Sequence, residues 1–162
     1  MSEVHVRVGT PEDVHQFMDL CLMGSEENGF VKPDPQRLLA EVWPALNRDG
    51  GICGVIGKPG ADHFEGGVLL RTCKLWYSDN LVLEERGIFV HPEYRAAKGG
   101  RARKLCEFAK AAAAKLEMPL LIGVLSNDRT EGKVRLYERI FGKAAGAYWL
   151  INAETGVTNK AA

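Results

Sequence analysis

Nowhere does this 162-residue chain carry an apolar run long enough to cross a bilayer, and its first residues, MSEVHVRVG, lack a signal-like apolar core. No membrane partner is expected, and the default location is cytoplasmic. An excess of charge of one sign is also missing, since 21 Lys and Arg balance 21 Asp and Glu. Broad nucleic-acid binding needs a basic face, so no nucleic-acid partner is expected either. Cysteines are few and far apart: Cys21, Cys53, Cys73 and Cys106 form no CxxC pair. His5, His15, His63 and His91 are equally scattered, and no metal centre is expected. The cysteines read instead as small buried hydrophobes in a reducing compartment. Repeats, linkers and low-complexity tracts are absent as well.

What is present is enough apolar material, 46% of residues, for one domain with a real core. Residues 3–8, EVHVRV, alternate as a strand does. Thr10-Pro11-Glu12-Asp13 then starts a helix with a hydroxyl cap, Pro at the first helical position and an acid three residues after the cap. Val14, Phe17, Met18 and Cys21 give that helix its apolar stripe, and Gly24 to Phe30 breaks the pattern. A second helix is expected over Pro35–Leu46, with Pro44 kinking it or bringing its end forward. Segments 51–57 and 64–73, bounded by Gly and Pro turns, read as two strands, the second antiparallel to its neighbour. Trp76 and Tyr77 precede the loop Ser78-Asp79-Asn80, where aromatics either line a substrate pocket or seal one end of a core.

The stretch from Val82 to Leu116 organises the rest. An extended apolar run ends at Val90, a turn follows at His91-Pro92, and the basic segment YRAAKGGRAR leads into a helix over 99–117. Ala102, Leu105, Cys106, Ala109, Ala113 and Leu116 form the buried side of that helix. Free N–H groups at a helix start, with Arg and Lys nearby, suit phosphate oxygens, although an ordinary strand-to-helix loop has the same look. Beyond lie a buried-strand candidate over 119–125, a helix over roughly 129–140 capped from Ser126-Asn127-Asp128, and a last strand over 147–151. The order β-α-α-β-β-β-α-β-α-β describes an α/β domain over residues 1–152 around a mixed sheet, with 153–162 as a loose tail.

Two segments in this order, GIFVHPEYRAAKGGRARKL and LLIGVLSNDRTEGKVRLYERIFGKAAGAYWL, resemble the GNAT family of N-acetyltransferases. The first looks like the family's strand and pyrophosphate loop, the second like its final strand-helix-strand unit. The resemblance implies an acyl-CoA N-acyltransferase fold: a mixed, mostly antiparallel central sheet with helices on both faces. It also implies acetyl-CoA as cofactor and transfer of its acetyl group to a primary amine, on a small molecule or on a protein or peptide. The family loop runs from Arg or Gln through two residues to Gly, then one residue, then Gly or Ala. Counting forward from Arg95 puts Lys98 and Gly100 at the two small positions, and counting back from Leu105 puts Gly100 and Ala102 there. The two registers differ by a short insertion. Gly99, Gly100, Arg101 and Ala102 are the favoured pyrophosphate segment, with Arg95 and Lys98 close by.

The same resemblance gives the backbone of Phe89 and Val90 to the pantetheine amides, an extended ligand completing a strand edge. Asn127 would bond the pantetheine arm. Tyr137 matches the family's general acid, which protonates the departing thiolate. For the base the strand offers Glu85 first and Glu84 in reserve; a regular strand points them to opposite faces, and a bulge would exchange them. Trp76 and Tyr148 stand near the expected acceptor. A homodimer stays open. Two other readings also fit: an acyl-CoA-binding sensor without turnover, and an interaction domain without cofactor.

Overall fold

Turn residues set most element boundaries through the middle of the chain. The computed structural model describes residues 3–126, 129–151 and 153. In chain order the elements are β1 (Arg7–Val8), α1 (Val14–Asn28), α2 (Pro35–Leu46), β2 (Gly51–Ile56), β3 (Gly66–Lys74) and β4 (Leu81–Val90). They continue with α3 (Arg101–Lys115), β5 (Leu120–Leu121) and α4 (Thr130–Phe141). Short 3-10 turns at Pro11–Asp13 and Pro92–Tyr94 lead into α1 and toward α3. Asp34 caps α2 by accepting from the backbone N–H of Gln36 at 2.8 Å, and Pro35 occupies the first helical position, where its missing N–H costs nothing. Among the described residues no helix is long and apolar enough to cross a membrane.

The strands form one sheet in the order β1-β2-β3-β4-β5. The first four pair antiparallel, and β5 joins β4 in parallel after the α3 crossover. This is the mixed, mostly antiparallel sheet expected. Period-two alternation divides its two faces. Cys53, Val55 and Leu69 pack under α1 and α2 with Phe17, Leu20, Val42 and Leu46. Ile56, Val68, Leu70 and Leu83 pack under α3 with Leu105, Ala109 and Ala113. Helices therefore cover both faces.

Strand β4 carries one irregularity. Leu69 pairs with Gly87 while Leu70 pairs with Glu85, so Arg86 is an extra residue on β4. An added residue reverses the alternation beyond it. Leu83 and Ile88 both serve the α3 face, whereas Phe89 packs with the α1–α2 core.

Several expected elements come out differently. Helix α1 does not break at Gly24 but runs to Asn28, where Gly29 closes it at φ 67°. Gly24 is a contact, not a stop: a Cβ there would lie 2.0 Å from the Phe89 ring. The first strand pairs only at Arg7–Val8, and the 119–125 strand only at Leu120–Leu121. The expected last strand over 147–151 is not formed. A strand exists through its ladder, and β5 stops too early to leave a paired edge beside which residues 147–151 could continue the sheet. Tyr148, Trp149 and Ile151 consequently stand exposed. The cap candidates Asn127 and Asp128 lie outside the described residues, as do Asn152 and 154–162 of the expected tail.

Candidate active site

The site is built where β4 and β5 part. Their parallel pairing covers Leu83↔Leu120 and Glu84↔Leu121 and ends there, while β4 continues to Val90. Residues 85–90 of β4 therefore present a backbone edge beyond the last β5 pair. On the opposite side Phe89 and Val90 pair with Gly67 and Gly66 of β3. The Val90 carbonyl accepts from Arg95 Nε at 3.0 Å, and the remaining Arg95 nitrogens grip the Glu27 carboxylate near the end of α1. That hydrogen-bonded pair holds Glu27 below the ordinary carboxylate range.

Because the bulge comes after both carboxylates, Glu84 and Glu85 keep opposite faces. Glu84 turns to the α1–α2 side, where the Cys73 thiol donates to Oε2 at 3.0 Å and Arg86 donates to Oε1 at 3.2 Å. Glu85 turns to the α3–α4 side, where its charge acts on Cys106 and Tyr137. Burial raises the Glu85 carboxyl to about 7, partly offset by a backbone hydrogen bond from Gly123; the Glu84 charge pushes it further up and Lys133 draws it down. The bond to Gly123 spans the opening between β4 and the chain that follows β5.

Tyr137 stands in the middle of α4, half-buried, its ring edge-on to Phe141 at 5.5 Å. Burial pushes its hydroxyl well above the ordinary phenol value, with the Glu85 charge and the Cys106 thiol adding to the effect. The hydroxyl therefore keeps its proton at neutral pH, as a proton donor must. Burial likewise raises Cys106 to about 12, so its thiol stays protonated and is a poor nucleophile. Cys21 and Cys53 are buried and raised too, and all four cysteines are free thiols.

Lys133, one turn before Tyr137 on the same helix, is a member of the site that the sequence reading passes over. It is half-buried, lies near Glu85, Glu27 and Arg95, and its Nζ donates to Ser126 Oγ at 3.3 Å. Burial lowers its pKa, and Arg95 and Arg129 act in the same direction. Reading α4 by its apolar residues alone hides it, although spacing of four from Tyr137 marks the shared face.

At the far end of β4, Gly99 (φ 126°) and Gly100 (φ 61°, ψ 44°) bring the chain into α3, whose first residue is Arg101. The register counted back from Leu105 thus coincides with the helix start. Gly100 has open space where a Cβ would stand, its nearest neighbour being Arg103 Cβ at 4.0 Å. Side chains around this loop are largely committed within the fold. Arg101 turns inward to Glu65 at 3.2 Å and stacks over Tyr94 at 4.9 Å, and Arg103 pairs with Glu107 at 2.9 Å. Lys98 is exposed. What the loop offers an anion is chiefly the backbone at Arg101 and Ala102.

The fold thus gathers Glu85, Tyr137, Cys106 and Lys133 beside the opening, with Phe89, Val90 and Arg95 along its edge and Gly99–Ala102 at one end. It does not bring Trp76 or Tyr148 to that group: Trp76 is 95% exposed in the β3–β4 loop against Tyr77, and Tyr148 is 91% exposed. Asn127 lies outside the described residues.

No family model matches the chain, and no curated protein matches its sequence. Solved structures do match its fold. An aminoglycoside acetyltransferase, AAC(6')-Iy in complex with a bisubstrate analogue of CoA, aligns at TM-score 0.68 with 16% identity, over 94% of this chain and 99% of its own. The ribosomal-protein-alanine N-acetyltransferase of Brucella melitensis biovar Abortus 2308 aligns at 0.62 with 18% identity, over 92% and 99%. An integron cassette protein from the mobile metagenome of Cole Harbour Salt Marsh aligns at 0.67 with 19% identity, over 92% and 90%. The chain has the fold of the N-acetyltransferases, the GNAT architecture that its sequence resembles.

Proposed function

We propose that this chain is a GNAT-family N-acetyltransferase, one domain over residues 1–152, that takes acetyl-CoA as donor and a primary amine as acceptor. The observation that carries the reading is the early end of the β4–β5 ladder, with Glu85 and Tyr137 near enough at the opening for the carboxylate charge to act on the hydroxyl. A fully paired sheet would leave no backbone edge for an amide-bearing ligand. The residues fit that coenzyme: a β4 edge at Phe89–Val90 beyond the last β5 pair, its Val90 carbonyl held by Arg95 Nε, and a helix start at Gly99–Ala102 with no side chain between backbone and solvent at Gly100. Solved acetyltransferases of the same fold hold CoA or a CoA analogue.

Acetyl-CoA supplies an acyl thioester. The chain's own groups then divide two proton transfers. Glu85, as carboxylate, takes the proton released when the amine nitrogen bonds to the acyl carbon. Tyr137 gives its hydroxyl proton to the sulfur that leaves with the electron pair of the broken C–S bond. Arg95 holds the strand end, and the α3 start holds phosphate. Acceptors in the proposal are amines of small molecules or of peptides and proteins.

Calorimetric titration with acetyl-CoA, followed by a thiol-release assay across an amine panel, tests the reading. Saturable binding and amine-dependent release of CoA thiol are expected. Binding without release for any amine would leave a sensor, and no binding at all would remove the coenzyme from the reading.

A further inference from the structure

Two of the four histidines, far apart in sequence, come together in space. His63 lies in the loop between β2 and β3; His91 directly follows β4, and Glu93 sits in the 3-10 turn Pro92–Tyr94. The imidazole rings of His63 and His91 stack at 4.5 Å between centroids, 25° apart in plane. His63 Nε2 is 3.7 Å from Glu93 Oε2 and 3.5 Å from the Tyr94 hydroxyl. One ligating atom from each of His63, His91 and Glu93 falls within 4.8 Å of the others. None of these residues is used by the acetyl-transfer reading.

Donor chemistry narrows the occupant. Two imidazoles and one carboxylate are borderline ligands; they suit zinc-class divalent ions and suit magnesium or calcium poorly, which prefer all-oxygen shells. Geometry is close but open. Two ligands on a tetrahedral ion, each about 2.0–2.1 Å from it, stand about 3.4 Å apart, so the three ligating atoms need to close by up to about 1.4 Å. The stacked rings must also turn so that their in-plane lone pairs converge. His63 and Glu93 side chains, 42% and 67% exposed, can turn to do so at small cost. His91 Nδ1 accepts the Glu93 N–H at a long 3.3 Å. Its lone pair is thereby placed toward Glu93, held by a weak bond that a metal would outcompete.

We propose that His63, His91 and Glu93 form a three-ligand binding site for a zinc-class divalent ion, with a fourth position open beside Tyr94. Such an ion ties the β2–β3 loop to the turn that leads into the basic loop before α3. The two segments already touch through the His91 N–H to Glu65 carbonyl bond at 2.8 Å and the Arg101 contacts to Glu65 and Tyr94. The ion is a staple across that junction, with no part in the proton transfers at Tyr137 and Glu85.

The test uses the full chain freed of metal by chelation. Zn2+ is titrated calorimetrically, and Co2+ is added separately to read coordination from its visible absorption. Saturable one-to-one Zn2+ binding is expected, with a rise in melting temperature that Mg2+ does not produce. Co2+ should give the intense bands of a four-coordinate site without thiolate charge-transfer absorption. His63→Asn and His91→Asn should each weaken binding by about tenfold or more, because each removes a direct ligand. His15→Asn and Cys73→Ser should leave it unchanged. Folding of each variant is checked by circular dichroism. Zn2+ affinity that survives in the His63→Asn/His91→Asn double variant overturns the site, as does absence of saturable binding in the parent or a thiolate signature with Co2+.

Discussion

Replacing Tyr137 with Phe deletes one oxygen and keeps the ring that meets Phe141 edge-on. If that hydroxyl protonates the leaving thiolate, turnover on an accepted amine should fall by about 10²–10⁴-fold while acetyl-CoA affinity hardly moves. Steady-state kinetics paired with chemical denaturation separates this from a packing role, in which stability drops and turnover survives; unchanged turnover defeats the assignment. Glu85 supplies a second handle, because burial places its titration at about 7. As base it works only when ionised, so kcat/KM should rise with pH through that region, and Glu85→Gln should abolish the rising limb as well as most of the rate. The same raised pKa has a stability sign. Below its ordinary value of 4.5 Glu85 is protonated whether folded or not, and its favourable contribution is then fully present. That contribution is lost as pH rises through about 7, since the folded state holds a proton that the unfolded chain has released. Denaturation midpoints should therefore fall less steeply for the Gln variant than for the parent between about pH 5 and 8; parallel profiles would sink the buried-carboxyl account. In the sequence, Glu85 and Tyr137 are legible only through family resemblance. Nothing local to LVLEERGIFV says which Glu is buried, because that depends on α3 and α4, more than ten residues away, and on a bulge that falls one residue too late to exchange them.

At the scale of elements, α1 and β4 meet through Gly24 and Phe89. Gly24→Ala would drive a methyl into the Phe89 ring, with carbon atoms 2.0 Å apart before relaxation. Because overpacking of this kind typically costs about 1–3 kcal/mol, the variant should unfold at lower denaturant, and Phe89→Leu in the same chain should restore part of the loss. A Gly24→Ala protein as stable as the parent would show that the helix can simply lift away. The helix entrance is better protected. Asp13, 1% exposed, is held by Arg7 through two hydrogen bonds of 2.8 Å and by the Thr10 N–H at 2.8 Å. Burial pushes its carboxyl up, and these donors outweigh that and keep it below the ordinary range. The Thr10–Asp13 signal is readable because a capping box has a fixed local spacing; its Arg7 partner is not, because the pair depends on how the chain turns from β1 into the helix start. Likewise Pro35 announces the start of α2, while Gly24 misleads because a glycine that breaks a helix and one that seats a neighbouring ring look alike in sequence.

Over the whole molecule, the central strands are the most legible part, since short apolar runs bounded by Gly and Pro turns mark the positions of β2 and β3. Legibility falls toward the C-terminal side. Residues 119–125 and 147–151 have strand-like composition, but a strand at an edge needs a partner, and composition cannot supply one. Strand order carries a further implication for how the chain comes together in time. Each of β3 and β4 lies beside the strand made just before it, so the loops closed within β2–β3–β4 are short, whereas β1 reaches β2 only across α1 and α2. Closing short loops loses less chain entropy, and sheets built from sequence neighbours fold sooner than those joining distant segments. The β2–β3–β4 meander is expected to be the early part, with β5 and α4 arriving last. Pulsed hydrogen exchange during refolding would show amides of β3 and β4 protected before those of α4; protection of α4 first would reverse that order. On the ribosome, β2, β3 and β4 are laid down before Tyr137, the proposed general acid, has been synthesised.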